Sequence, residues 1–157
     1  MLIYMTIYVA INIGTFAFIL SMEKDGQPVT EISSLNMYAT AKPGRAFAML
    51  ILLFSLAGVP PMLGFLGKLY VLRAAYDADL AWLAIAGVIA SVIGAFYYLR
   101  IVFFIYFGEE QAEGLDANKS TILLGFLMAS AAVMVFGIIN MFGVETAATA
   151  AAAALVN

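Results

Sequence analysis

The sequence predicts an all-α, polytopic membrane protein with four transmembrane helices. Apolar residues make up 65% of the 157 residues and charged residues 11%, whereas an ordinary soluble domain has about 45–50% and about 25%. Four largely uncharged runs are each long enough to cross a bilayer, which needs about 20 apolar residues. In hydrocarbon every backbone N–H and C=O must be paired, which favours helices. We expect a single membrane domain over residues 1–157, with spans near 1–22, 46–76, 80–107 and 120–144.

The first span and the connection after it are predicted from an uncharged run and a turn signal. Met1–Met22 is too long for the apolar part of a signal peptide, and no basic segment precedes it. Asp25–Pro28 carries the glycine and proline of a turn, and the mixed residues 29–41 suit a short interfacial helix. Because the run begins without a hydrophilic lead, we expect a piece of a longer subunit or a truncated reading frame.

The second span is predicted to contain a break at Gly58–Pro61. It opens at Lys42–Arg45, where Pro43 suits a first helical turn. Two consecutive prolines further on remove two backbone donors and clash with the preceding turn, and nearby glycines add flexibility and permit close approach. Backbone groups left unpaired inside a membrane must be buried in protein or face water. The residues predicted to form the break are Gly58, Pro60, Pro61, Gly64 and Gly67.

The third and fourth spans follow from two further apolar runs. Tyr76–Asp79 is a short connection, so spans two and three are predicted to be antiparallel neighbours. Gly108–Lys119 holds four acids and is predicted to be a solvated loop. Either Ser120 or Asn118 is a candidate cap for the fourth helix. The tail at 147–157 begins with a run of alanines and is predicted to be a low-complexity end without chemistry.

Basic residues predict the orientation of the spans. Four spans put the first and third loops on one side, which holds four basic residues with Arg100 near its edge, whereas the opposite side has only Arg73. The positive-inside rule places the loops that are richer in Lys and Arg in the cytoplasm. Both chain ends are then expected to face outward. The four basic residues are Lys24, Lys42, Arg45 and Lys119.

Composition excludes several classes of function. The chain has no Cys and no His, so it lacks a disulfide framework and the commonest ligands of zinc, copper and haem, and we expect no metal site. Seven basic residues and a net charge of -3 argue against nucleic acid as a partner. The sequence shows neither a glycine-rich phosphate loop nor a nucleophile with a histidine base, and every Asp and Glu lies in a predicted loop or the tail. We expect no redox chemistry in this chain itself.

Lys68, beside the predicted break, is the most informative residue. A broken helix with an ionisable residue next to it is typical of ion-handling sites in membranes. The alternative is a kinked packing helix whose lysine extends to the outer interface, since Asp77 is only nine residues further on. Lys68 is therefore a candidate proton carrier.

Other polar residues of the spans have weaker signals. Tyr97 and Tyr98 suit either an aromatic belt or a possible polar path inside a bundle. Arg100 is seven residues from Phe107, and we favour its extension toward the cytoplasmic headgroups. Asn12 lies in mid-span, where most Asn side chains bridge helices at about 1 kcal/mol or less.

One long motif and three shorter stretches resemble a known family. Phe54–Val71 reads FSLAGVPPMLGFLGKLYV and closely resembles the signature of the antiporter-like subunits of the proton-translocating NADH–quinone oxidoreductase, respiratory complex I. The motif around Pro60 and Lys68 is highly specific, and the resemblance covers about residues 4–144 in the family's order. The shorter stretches that agree are Asn12–Phe16, Glu31–Leu35 with Lys42-Pro43 after it, and Tyr97–Arg100.

The resemblance implies a role within a larger assembly. Quinone reduction elsewhere would drive protons through this subunit, with Lys68 as the terminal carrier and no cofactor in this chain. NADH, FMN, iron–sulfur clusters and quinone are expected elsewhere in the complex. The implied partners are its other membrane subunits and the lipid bilayer. The implied location is the bacterial inner (plasma) membrane, equivalent to the mitochondrial inner membrane.

The resemblance also implies which part of a subunit this is. The family has fourteen helices, and these would be the last four, without the earlier half and its intramembrane Glu–Lys pair. The family has three branches. One usually carries Glu where this chain has Lys68, and a second continues past its last core helix into a long lateral helix. This chain shows neither feature, so we favour the third branch. The implied orientation, with the first loop cytoplasmic, agrees with the count of basic residues.

Two alternative functions stay open. The first is a sodium–proton antiporter or membrane hydrogenase subunit of the same superfamily. The sequence around Lys68 barely distinguishes this alternative from the leading hypothesis. The second is a non-transporting assembly or scaffold fragment. Its sign would be normal assembly of the complex after Lys68 is changed, with no effect on activity.

Overall fold

The computed structural model describes residues 2–24, 26–29, 31–109, 120–140 and 143–156. Most of this part of the chain is helical, in agreement with the predicted class. The helices are α1 (Leu2–Leu20), α2 (Tyr38–Ala41), α3 (Pro43–Ala57), α4 (Leu63–Asp77), α5 (Ala81–Phe107), α6 (Thr121–Asn140) and α7 (Val144–Val156), with a 3₁₀ helix at Ile32–Leu35.

Two of the described helices are long and apolar enough to cross a membrane by themselves, α1 and α5. Shorter apolar helices occur at Pro43–Ala57 and Thr121–Gly137. The predicted second span is divided between α3 and α4, so that neither half reaches full length. The helical membrane class therefore agrees with the prediction, while the count of four spans stays a prediction.

The centre of the structure lies where α1, α3 and α6 meet. Gly14 on α1 lies close to both neighbouring helices: a Cβ added there would lie 2.5 Å from Ser130 Cβ and 2.8 Å from Leu52 Cδ1. A side chain at this position would force α1 away from both neighbours. The largest fully buried apolar side chains include Phe18, Leu52, Leu53, Leu127 and Met134.

The long helix α5 packs on α3 and α4 but leaves most of its surface uncovered. Ile105 is its one buried residue, while large apolar side chains such as Trp82, Val92 and Phe96 are each more than 60% exposed. An apolar surface of this extent is unfavourable in water and favourable in lipid or against further protein. The exposure pattern of α5 therefore agrees with a membrane location.

Local signals explain where several helices begin and end. α3 starts at Pro43, as predicted, because a proline at the first helical position gives up an N–H that has no intrahelical partner. α6 is capped by Ser120, whose hydroxyl accepts a hydrogen bond from the Leu123 N–H at 3.4 Å. The other candidate cap, Asn118, lies outside the described residues, as does most of the predicted loop at 108–119. The alanine-rich tail forms α7, since alanine has the highest helix propensity.

The connection between α1 and α3 is more structured than the predicted interfacial helix. Part of the predicted turn, Gln27–Pro28, forms β2, which pairs antiparallel with β1 (Glu23–Lys24) and modifies the all-α expectation locally; Asp25 lies outside the described residues. The 3₁₀ helix and α2 follow, and the Met37 N–H donates to the Phe104 carbonyl of α5 at 3.0 Å. This bond places the first connection at the same end of the structure as the end of α5.

The connection between α4 and α5 lies at the start of α5, at the opposite end of that helix from the contact between Met37 and Phe104. α4 ends at Asp77 and α5 begins at Ala81, and Asp79 has a φ of +58°. Arg73 forms an exposed ion pair with Asp77 at 3.7 Å. α4 and α5 pack against each other, so the predicted antiparallel neighbours are present.

Candidate functional site: the broken helix and Lys68

The site begins where α3 ends. Gly58 has a φ of +82° and a ψ of +39°, a left-handed conformation that favours glycine. Its N–H donates to the carbonyls of Phe54 and Ser55, and the Val59 N–H donates to Phe54 at 3.0 Å. The last carbonyls of a helix have no intrahelical partner, so the carbonyls of Leu56 and Ala57 need donors from elsewhere.

Lys68 supplies those donors. Its Nζ donates to the Leu56 carbonyl at 2.8 Å and to the Ala57 carbonyl at 3.2 Å. The side chain is half-buried and folds back from α4 across the break. An ammonium group at a helix C-terminus is favoured by the partial negative charge of the helix dipole. The predicted association of the break with Lys68 is therefore a direct contact, and the lysine is hydrogen-bonded within the protein.

Of the three glycines predicted to form the break, Gly58 lies in it, whereas Gly64 and Gly67 lie within the regular helix α4, because a glycine without a neighbouring proline does not by itself end a helix. A Cβ on Gly58 would lie 3.1 Å from Lys68 Cδ, and one on Gly67 would lie 3.2 Å from Ile7 Cδ1. Gly64 is the tightest of the three, because its Cβ would overlap the backbone carbonyl oxygen of Ser55 and would lie 2.6 Å from Ser55 Oγ. Pro60 and Pro61 are exposed, and the peptide bond between them is cis.

Two clefts meet at Lys68. The first has a volume of about 300 Å³ and lies between α1, α3, α4 and α5. The second, of about 360 Å³, lies along the break and along residues 88–95 of α5. Lys68 and Ser91 line both clefts, and Lys68 is the one charged side chain among their described lining residues. The polar side chains of the first cleft are Tyr4, Tyr8, Ser55, Lys68, Ser91 and Tyr98.

A third cleft lies toward the connection between α1 and α3. Its volume is about 260 Å³, and Thr15 and Glu31 are among its lining residues. Leu56 and Tyr98 line both this cleft and the first one. Tyr98 therefore lies between the connection that carries Glu31 and the cleft that carries Lys68.

The structure separates the two predicted tyrosines. Tyr98 reaches the clefts, whereas Tyr97 is 60% exposed and packs edge-on against Phe96. Arg100 is exposed, with its guanidinium carbon 5.7 Å from the centre of the Phe104 ring. The Asn12 amide donates to the Tyr8 carbonyl of its own helix at 2.7 Å, so within the described part of the chain this bond stays inside α1 and does not join two helices.

Several polar residues of the site were missed by the sequence interpretation. Ser55, Ser91, Tyr4 and Tyr8 are single polar side chains in apolar runs, and they approach Lys68 only because the four helices α1, α3, α4 and α5 fold together. Tyr4 and Tyr8 are one helical turn apart in the sequence, and their ring centres are 5.9 Å apart. That spacing was the one periodic pattern in the sequence that could have placed these polar residues on a common helix face. No cluster of three acids, cysteines or histidines that would suit a metal ion occurs among the described residues.

The fold and the site define a class: a helical membrane protein with a lysine bound at an interrupted helix. A family model for the NADH:quinone oxidoreductase/Mrp antiporter transmembrane domain matches residues 1–94. The chain belongs to this family, which confirms the family resemblance. Pro60, Pro61 and Lys68 all lie within the matched residues.

Individual relatives agree along the whole chain. An NADH-quinone oxidoreductase subunit N of Rhodobacter capsulatus is 61% identical over 157 residues, which is 100% of this chain and 33% of the relative. The subunit N of a Jannaschia species is 58% identical over 99% of this chain and 33% of its own length. The subunit N of Rhodospirillum rubrum is 44% identical over 98% of this chain and 31% of its own length. The chain thus spans about a third of these relatives, which carry the name of the branch favoured from Lys68.

Proposed function

We propose that the chain is a proton-translocating part of the membrane arm of an NADH–quinone oxidoreductase, with Lys68 as a proton carrier. The observation that carries the proposal is the binding of the Lys68 amine to the open carbonyls of α3, at the meeting point of two clefts. Family membership and the names of the relatives support the assignment to this complex. Cofactors that transfer electrons belong to other subunits under this proposal.

The surroundings of Lys68 suit a carrier whose resting state holds the proton. Two of the three ammonium protons are directed to the carbonyls of Leu56 and Ala57, and the α3 dipole adds to the stabilisation of the cation. No acidic side chain occurs among the described lining residues of the two clefts at Lys68. Release of the proton from Lys68 therefore requires that another charged group outside these residues moves or changes its charge. Under this proposal, redox chemistry elsewhere in the complex controls proton release by causing that change.

A polar path to Lys68 passes Tyr98. This side chain borders the cleft that includes Thr15 and Glu31 as well as the cleft that includes Lys68. Water in these clefts would connect the first loop with the amine, and the second cleft would continue along Gly58–Pro60. Tyr97 is outside the lining of all three clefts and is left out of the path.

Four spans and a multi-pass inner-membrane location complete the proposal. α1 and α5 each cross the membrane, α3 and α4 together form one interrupted span, and α6 forms the fourth. Two polar connections at opposite ends of α5 support this arrangement. The partners under this proposal are the other membrane subunits of the complex and the surrounding lipid.

The test is a pair of Lys68 variants in the complete complex. Lys68→Ala should reduce proton pumping and coupled quinone reduction at least tenfold per assembled complex. Lys68→Arg should recover little, because guanidinium holds its proton at any relevant pH. Lys24→Ala, in the β-hairpin outside the clefts, is the matched control and should keep normal rates. Full pumping by both Lys68 variants at equal complex abundance would exclude the carrier and favour a structural role.

A sodium–proton antiporter is the second candidate, because the matching family model includes Mrp antiporters. The two functions differ in the ion that crosses the membrane. In vesicles containing the complete complex, pumping that continues after Na⁺ is replaced by choline supports the proton translocase. Pumping that stops in choline and returns with Na⁺ supports the antiporter.

A further inference from the structure

The Ser55 hydroxyl joins three helices next to the break. Ser55 is 1% exposed, in the last turn of α3. Its oxygen accepts a hydrogen bond from the Gly64 N–H of α4 at 2.9 Å, and its own proton is directed to Met134 Sδ of α6 at 3.2 Å. A buried hydroxyl that is used both as acceptor and as donor holds its neighbours in one arrangement.

Ser55 acts as a cap for α4 from outside that helix. The first N–H groups of a helix lack intrahelical partners, and Met62, which precedes α4, makes no side-chain capping bond. Gly64 is the second residue of α4, so its N–H is one of these groups. The absence of a side chain on Gly64 lets the Ser55 hydroxyl reach it.

The Ser55 bond and the Lys68 bonds are in register. Leu56, whose carbonyl binds Lys68, directly follows Ser55, and Lys68 is one helical turn beyond Gly64 on the same face of α4. The two half-helices are therefore held by two successive polar contacts, Ser55 with Gly64 and Leu56 with Lys68. A displacement of α4 along α3 would break both contacts together.

We infer that Ser55 is a positioning residue that holds the Lys68 amine on the carbonyls of the broken helix through Gly64. The inference rests on the proposed role of Lys68 as a carrier. Without the Ser55 hydroxyl, the Gly64 N–H is buried without an acceptor, and α4 shifts to find one. The lysine then spends less time at the Leu56 carbonyl, and the rate falls with that fraction.

The experiment compares serine variants in the complete complex, with rates measured per assembled complex. Ser55→Ala should reduce proton pumping about fivefold, the effect of losing one hydrogen bond of ordinary strength. Ser55→Thr keeps the hydroxyl and should pump faster than Ser55→Ala. Ser130→Ala removes a buried hydroxyl from α6, away from Lys68, and should leave the rate unchanged. A structure of the Ser55→Ala complex should show the Lys68 amine displaced from the Leu56 carbonyl.

Each outcome has a defined meaning. Ser55→Ala with the same rate as Ser130→Ala, or an unmoved Lys68 amine in the variant structure, would overturn the positioning role. Equal rates for Ser55→Thr and Ser55→Ala would do so as well. If Ser55→Ala does not assemble, Ser55→Cys decides, because its thiol fills the space with weaker hydrogen bonds: a rate below half of normal supports the role, and any higher rate overturns it. Failure of the carrier proposal is recognised separately, by normal pumping in Lys68→Ala.

Discussion

Gly64 lies against Ser55 so closely that a methyl group on Gly64 would sit 2.6 Å from the serine hydroxyl oxygen. The two residues belong to different halves of the interrupted helix and share a hydrogen bond of 2.9 Å. This contact sets how closely α3 and α4 approach beside Lys68. It makes the consequence of a single added methyl group predictable.

Gly64→Ala should destabilise the complex, although alanine ordinarily stabilises a helix by up to about 1 kcal/mol relative to glycine. The added methyl group overlaps Ser55, and overpacking of this kind costs about 1–3 kcal/mol. The measurement is the thermal stability of the detergent-solubilised complex. Gly125→Ala is the control, because no atom lies within 4 Å of its added Cβ. Equal stability of the two variants would contradict the close contact at the break.

Gly14→Ala should loosen the packing of α1 on α6 and α3. Its Cβ would lie 2.5 Å from Ser130 Cβ and 2.8 Å from Leu52 Cδ1, so the helices must separate at a cost of about 1–3 kcal/mol. The yield and melting temperature of the assembled complex measure the effect. Adding Ser130→Gly removes the nearest clashing atom and should recover part of the loss. A double variant no more stable than Gly14→Ala would argue against this packing.

Tyr98→Phe and Tyr97→Phe should differ in their effect on pumping. Tyr98 borders the clefts that lead to Lys68, so loss of its hydroxyl should slow proton transfer about fivefold, equivalent to one hydrogen bond. Tyr97 is outside the clefts and serves as the matched control with a normal rate. The measurement is the initial pumping rate in vesicles at equal complex abundance. The reverse ranking, or no difference, would remove Tyr98 from the path.

Single-cysteine labelling tests the orientation. The chain has no cysteine of its own, so Gln27→Cys, Ala78→Cys and Glu109→Cys each add one exposed target. The positive-inside rule predicts that positions 27 and 109 react from the cytoplasm and position 78 from outside. The contact of Met37 with Phe104 independently puts positions 27 and 109 near the same end of α5. Membrane-impermeant maleimide on sealed vesicles of both orientations measures the reaction, and labelling of 27 and 109 from opposite sides would refute the arrangement.

Burial explains one ionisable group outside the spans. Tyr38, in the connection before α3, packs edge-on against Phe18. Burial raises the pKa of Tyr38, while the nearby Arg45 acts in the opposite direction. The tyrosine therefore stays neutral and contributes apolar packing between α1 and the first connection.

Local chemistry in the sequence determined the elements and the position of the break. Apolar runs without charge require helices in hydrocarbon, Pro43 suits a helix start, and two prolines after Gly58 end α3. Lys68 was identifiable because a titratable residue beside such a break is rare in a membrane span. The motif that includes Pro60 and Lys68 also carried the family resemblance.

Only the tertiary structure decided what Lys68 contacts. The carbonyls of Leu56 and Ala57 are available because of the break, but the lysine reaches them only when the first turns of α4 lie beside the last turn of α3. Ser55 and Ser91 gave no signal in the sequence, since an isolated serine in an apolar run has no periodicity to detect. The split between Tyr97 and Tyr98 likewise follows from the rotation of α5 about its axis, which long-range packing sets and neighbouring residues do not.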